Sequence, residues 1–263
     1  MSKIAAQFKN KKALITYISG GDPSLEMTEK LIYRLQNEGV DIIEIGIPFS
    51  DPLADGPVIQ EASQRALKNG TTLKKLIEML SDIKDRVKVP LVLMGYYNSV
   101  LNFGEKEFVK AIKNAGVSGV IIPDLPVDEF AELGQYLAES KLSQILLVTP
   151  NTSEERLHDI ASKSSGFLYC VAHLGTTGDE QDIYPELESY LEKVRQAAGE
   201  MPLGLGFGID GPEKVKKIID YPDGIIIGSA LINAIQAGEN EAEMLENAGE
   251  FVRGIKKAIL ENY

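Results

Sequence analysis

Short apolar runs alternate with longer stretches of helical period along the whole chain. The runs at 13–19, 42–48, 90–96, 119–124, 144–149, 167–173, 202–209 and 224–228 are rich in Ile, Val and Leu and bounded by Gly, Pro or Asp. That pattern predicts strands buried on both faces, as in a parallel sheet. Between the first two runs, over 23–38, Leu25, Thr28, Leu31, Ile32 and Leu35 share one helical face. Asp22 can cap that helix, Pro23 fits its first position, and Gly39 falls just past its end. Near the C-terminus Met244, Ala248, Phe251, Ile255 and Ile259 fall on one side, which predicts a helix packed on the body.

Eight strand–helix units in 263 residues match an α/β fold of the (β/α)8 TIM-barrel type. A doubly wound sheet is the alternative, because alternation alone does not establish closure. Two spacings are irregular. An extra helix at 58–68 precedes the one at 73–86, and a polar Gly/Thr/acidic segment, 174–184, follows the sixth strand. No linker or low-complexity tract divides the chain, so one domain over 1–263 is expected.

Composition then removes several function classes. Lys and Arg total 27 against 39 Asp and Glu, a formal charge of -12, which disfavours nucleic acid and anionic lipid as partners. The lone Cys170 excludes a disulfide framework and any cysteine-based zinc site. His158 and His173 are the only histidines, so a conventional zinc site is not expected either. The first dozen residues are polar and Lys-rich, without an apolar stretch of signal-peptide length, and a cytoplasmic protein is expected.

In a barrel the chemistry lies on the loops that leave the strands. The most informative stretch is Ile-Ile-Glu-Ile-Gly-Ile-Pro-Phe-Ser-Asp-Pro-Leu-Ala-Asp-Gly-Pro at 42–57. Period-two alternation sends Ile43, Ile45 and Ile47 toward the helices and turns Glu44 into the barrel. Burying a carboxylate is costly and raises its pKa, which suits a group that gives and takes protons near neutral pH. The competing reading is a Glu satisfied by a barrel Arg or Tyr. Asp51 and Asp55 follow in a loop stiffened by Pro48, Pro52 and Pro57; Asp55 is either a positioned carboxylate or a cap for the next helix.

The 44–57 stretch resembles the signature of the tryptophan synthase alpha subunit family, and the likeness runs from Gly21-Asp22-Pro23 to Gly228-Ser229-Ala230. The resemblance implies a (β/α)8 barrel that splits indole-3-glycerol phosphate into indole and glyceraldehyde 3-phosphate, with Glu44 and Asp55 as catalytic residues. It implies phosphate contacts at Gly178, Gly208, Gly228 and Ser229, an indole pocket lined by Tyr17 and Tyr169, and a further site-facing position at Asp124. Asp124 can equally be a loop cap. The 174–182 segment corresponds to a lid whose Thr177 steadies Asp55. The family uses no cofactor in this subunit. Its partner is a pyridoxal-phosphate beta subunit, in an alpha2-beta2 assembly, that joins indole to serine.

The residues themselves fit that chemistry. Gly204-Leu-Gly-Phe-Gly-Ile and Gly228-Ser-Ala-Leu can bring backbone N–H groups to a phosphate, helped by a short helix over 230–236. Neither loop holds a Lys or Arg, and tight packing is the other use of such glycines. Departures from the family pattern fall at the base of the lid. Ala172-His173 stands for a common Ser-Arg, and Thr176 for a common Val. His173 reads as a packing residue or a titrating hinge, and mid-strand Cys170 as an inert small hydrophobe. Two other functions compete: a non-catalytic barrel that only activates a beta subunit, and a stand-alone indole-releasing lyase.

Overall fold

The computed structural model describes residues 2–172, 184–206 and 208–262. Its strands are β1 (Ala13–Ser19), β2 (Ile42–Gly46), β3 (Leu91–Met94), β4 (Gly119–Ile121), β5 (Ser143–Gln144), β6 (Leu147–Val148), β7 (Leu168–Val171), β8 (Leu203–Gly206) and β9 (Gly224–Ile227). All pair in parallel, in the order β5-β4-β3-β2-β1-β9-β8-β7-β6. The two ends of that order are neighbours in the chain. Between them, Ile145 N–H donates to the Val120 carbonyl and Tyr169 N–H to the Leu146 carbonyl, each at 3.0 Å. β5 and β6 are therefore one stave, whose first half pairs with β4 and second half with β7. Such a stagger is what closing a tilted sheet demands. Closure yields the eight staves expected and excludes the doubly wound alternative.

The helices are α1 (Leu25–Asn37), α2 (Pro57–Lys68), α3 (Leu73–Ile83), α4 (Tyr97–Phe103), α5 (Glu105–Asn114), α6 (Ala131–Ser140), α7 (Glu154–Lys163), α8 (Tyr184–Ala198), α9 (Pro212–Ile218), α10 (Ser229–Gln236) and α11 (Glu241–Glu261). The extra helix after the second strand is α2, as the spacing predicts. A second one, α4, was not expected; Gly104, at φ 87°, turns the chain sharply between it and α5. None of the helices in the described residues is long and apolar enough to cross a membrane.

Two apolar layers reflect the strand alternation. Ile43, Ile45 and Ile47 pack outward among the helices, while Ile15, Ile42, Val92, Ile121, Ile145 and Phe167 fill the barrel. Ile4 and Phe8 join that inner cluster and so plug the barrel's N-terminal end. On α11, Ala248, Ile255 and Ile259 are buried against the body, as their spacing predicts.

One local expectation is corrected. Asp22 does not cap α1 and Pro23 is not its first residue; the helix starts later, at Leu25, and Ser24 Oγ accepts the Met27 N–H at 3.0 Å. Asp22 is instead gripped by Arg65, whose Nε and Nη2 each donate to one carboxylate oxygen at 2.8 Å. A two-bond charged pair outcompetes a single backbone N–H.

Candidate active site

Glu44 sits on β2, opposite Tyr17 of β1 and Val92 of β3. Its side chain is fully buried, and neither carboxylate oxygen has a hydrogen-bond partner among the described residues. The reading in which a barrel Arg or Tyr satisfies it is not realised here. Buried polar groups are nearly always paired, so an orphan of this kind points to a functional use. Burial pushes its carboxyl up to about 8, which keeps it protonated at neutral pH. It is an acid in waiting, and becomes a base once its proton is given.

Asp55 lies in the loop between β2 and α2. Gly56 is the N-cap of α2 and Pro57 its first residue, so Asp55 is not used as a cap. Its Oδ2 accepts the Tyr96 hydroxyl at 3.0 Å, and that hydroxyl accepts the Ala54 N–H at 2.9 Å. Tyr96 is held in turn by stacking on Phe49, with centroids 5.1 Å apart and planes 19° from parallel. Burial raises the Asp55 carboxyl to about 6, and the Tyr96 hydrogen bond opposes the rise.

Tyr17 and Tyr169 complete the inner wall. Tyr17 is buried, and its hydroxyl occupies space that a Cβ at Gly46 would fill, the two atoms falling 1.9 Å apart. Burial pushes its phenol above the usual range, and the nearby charges of Asp55 and Glu44 push in the same direction. Tyr169 is raised by burial, then by Glu44 and Asp55. The barrel thus gathers Glu44, Asp55, Tyr17 and Tyr169 into one electrostatic neighbourhood. Beside them Tyr17 packs with Ile59 and Ala62 of α2 and Ile232 of α10.

Asp124 is exposed, and its Oδ1 accepts the Tyr97 N–H at 2.9 Å, so it caps the first turn of α4 from the neighbouring loop. On the far side of the rim Gly208 follows β8 with φ +54°, and a Cβ there would meet nothing within 4 Å among the described residues. Gly228 is the N-cap of α10 and Ser229 its first residue. Lys214 of α9 donates to the Gly208 carbonyl at 3.3 Å while paired with Asp210, so a cation does reach this loop from outside it. Thr176, Thr177, Gly178 and the rest of the 174–182 segment, with His173, lie outside the described residues. Cys170 is buried, and burial pushes its thiol up to about 12, which leaves it un-ionised near neutral pH. Among the described residues no group of three or more His, Cys, Asp or Glu could hold a metal ion.

Tyr96 and Phe49 are the site residues that the sequence reading missed. The signal was available, since Tyr96 ends the third predicted strand, where barrels draw their functional side chains. Tyr96→Phe removes the bond that lowers the Asp55 pKa, so that pKa should climb above about 6. The acidic limb of the pH–rate profile is expected to move to higher pH, and an unshifted limb would refute the contact's importance.

Two carboxylates of unequal acidity at the C-terminal rim of a closed barrel define an acid–base enzyme working on a small molecule. The family model for the tryptophan synthase alpha chain matches residues 4–260. A tryptophan synthase alpha chain of Petrotoga mobilis is 55% identical over 257 residues, spanning 97% of this chain and 99% of its own length. One from Caldanaerobacter subterraneus subsp. tengcongensis is 43% identical over 251 residues, 95% of each. The crystal structure of tryptophan synthase subunit alpha from Legionella pneumophila matches with a TM-score of 0.90 at 34% identity, over 99% of both chains. This chain belongs to the tryptophan synthase alpha chain family. Its members are the lyases of tryptophan biosynthesis that cleave indole-3-glycerol phosphate, and the pyridoxal phosphate of the complex is carried by the beta subunit.

Proposed function

We propose that the whole chain, 1–263, works as one catalytic barrel in which Glu44 and Asp55 run the retro-aldol cleavage of indole-3-glycerol phosphate. The observation that carries this reading is the fully buried Glu44 carboxyl, without a hydrogen-bond partner among the described residues and raised to about 8. Glu44 gives its proton to indole C3, which places positive charge on the ring nitrogen. The carboxylate so formed takes the proton from the adjacent glycerol hydroxyl. As that O–H breaks, a C=O forms, the C–C bond breaks, and its electron pair returns to the ring. Glu44 ends protonated, the aldehyde leaves as glyceraldehyde 3-phosphate, and indole is free. Asp55, ionised above about 6, accepts the indole N–H and stabilises the charge where it develops.

Tyr17 and Tyr169 supply the walls of the indole pocket. The phosphate is held by backbone N–H groups of Gly208, Gly228 and Ser229, with Gly178 and Thr177 of the lid adding to the closed state, and Asp124 steadying the rim. The left-handed φ of Gly208 and the start of α10 at Ser229 support this placement. Gly208→Asp tests it well, because Asp tolerates such a φ better than most residues and a Cβ there meets nothing within 4 Å among the described residues. The variant should fold and lose tight binding of glycerol 3-phosphate by calorimetry. Normal binding would move the phosphate elsewhere.

Indole passes to a beta subunit in an alpha2-beta2 complex. The β2–α2 loop supports this, since it holds Leu53 at 89% exposure on a rim of three prolines. The lone, buried Cys170 suits a cytoplasmic setting. An indole-release assay with indole-3-glycerol phosphate, with and without a beta subunit, tests the whole reading. Release alone, accelerated in the complex, is expected. Activation of the partner without any release would favour a silent barrel.

A further inference from the structure

The loop that carries Asp55 is fastened to α2 at both ends. Ser63 Oγ accepts the Phe49 N–H at 2.8 Å and donates to the Phe49 carbonyl at 3.0 Å. Gln60 Nε2 donates to the Asp55 carbonyl at 2.8 Å. The loop therefore moves with α2 as one body. At the far end of α2, Arg65 grips Asp22 with two bonds of 2.8 Å. Asp22 is buried, and its Oδ2 also accepts from Gln236 Nε2 at 3.3 Å. Gln236 is the last residue of α10, the helix that starts at Ser229. One buried carboxylate thus joins the helix behind Asp55 to the helix behind the phosphate loop.

We infer that Arg65 is a positioning residue, whose two-bond grip on Asp22 sets the Asp55 loop against the N-terminus of α10. The inference rests on the cleavage reaction proposed above. Its physical basis is that a planar guanidinium fixes both distance and orientation, which a lysine ammonium cannot do. The span that matters is the one between the indole end and the phosphate end of a single substrate, and a misplacement of about 1 Å can cost on the order of a hundredfold in rate.

Three variants, Arg65→Met, Arg65→Lys and Asp22→Asn, with the double variant Arg65→Met/Asp22→Asn, are compared with wild type as folded protein. Arg65→Met should lower kcat for indole release at least about tenfold while the Kd of glycerol 3-phosphate stays within about twofold. Arg65→Lys should recover part of the loss. The double variant should be no slower than Arg65→Met, because both remove one interaction. Amide hydrogen exchange over 49–56, read without substrate, should speed up in Arg65→Met relative to wild type. A purely structural role would lower the melting temperature and leave kcat per folded molecule unchanged, and that result overturns the inference. So does unchanged exchange over 49–56, including where Arg65→Met folds poorly and Arg65→Lys must be read instead. Wild type releasing no indole would sink the proposed reaction, and the exchange arm would still decide whether Arg65 holds the loop.

Discussion

Glu44→Gln is expected to lower indole release at least about a hundredfold while the barrel stays folded. General acid–base groups contribute roughly 10²–10⁴-fold, and Gln keeps the shape of Glu without its proton. The fold should tolerate the change because Glu44 has no hydrogen bond to lose among the described residues. Stability gives a second reading. The folded carboxyl is raised from 4.5 to about 8 by burial, so the native state holds a proton that the unfolded chain has lost across that range. Wild-type stability should therefore fall as pH rises from about 4.5 to 8, by a few kcal/mol at most, with the full cost present above 8. Glu44→Gln lacks the Glu44 share of that slope and keeps only the smaller share that Asp55, raised to about 6, contributes at lower pH. Denaturant midpoints should be close at pH 5 and favour the variant at pH 9. A variant that kept half its indole release would remove Glu44 from the chemistry.

Asp55→Asn is expected to cost a comparable factor, by a different route. The amide oxygen of Asn can still accept the Tyr96 hydroxyl, so the 3.0 Å contact and the loop geometry should survive. What disappears is the negative charge that, in the proposed mechanism, faces the indole N–H as the ring becomes positive. Loss of transition-state charge stabilisation should appear in kcat, with KM little changed. The proposed cleavage needs Asp55 ionised and Glu44 protonated, so the wild-type pH–rate profile should be a bell with limbs near 6 and 8. In Asp55→Asn the lower limb should vanish and the upper one remain. A lower limb that persists would assign it to another group.

The periodicities of the chain determined much of this protein on their own. A strand alternates with period two whatever it packs against, so Ile43 and Ile45 had to leave by one face and Glu44 by the other. The apolar stripes of α1 and α11 and the run of strand–helix units were legible for the same reason: local geometry decides them. The Glu-Ile-Gly-Ile-Pro-Phe-Ser-Asp stretch also carried the family, which the comparisons then showed.

Only the tertiary structure decided which polar groups meet. For a loop aspartate such as Asp55 a helix cap was the better reading of the residues alone, until Tyr96, 41 positions away, was found to take the carboxylate. Asp22 looked like a cap until Arg65, 43 positions on, claimed it. The acidity of Glu44 likewise depends on its burial, and no window of sequence displays how deeply the closed barrel buries a side chain. Closure was hidden too, because the stave split into β5 and β6 joins β4 to β7 only through the stagger of the whole barrel. Period and propensity act over a few residues, whereas burial and pairing are set by strands that closure alone brings together.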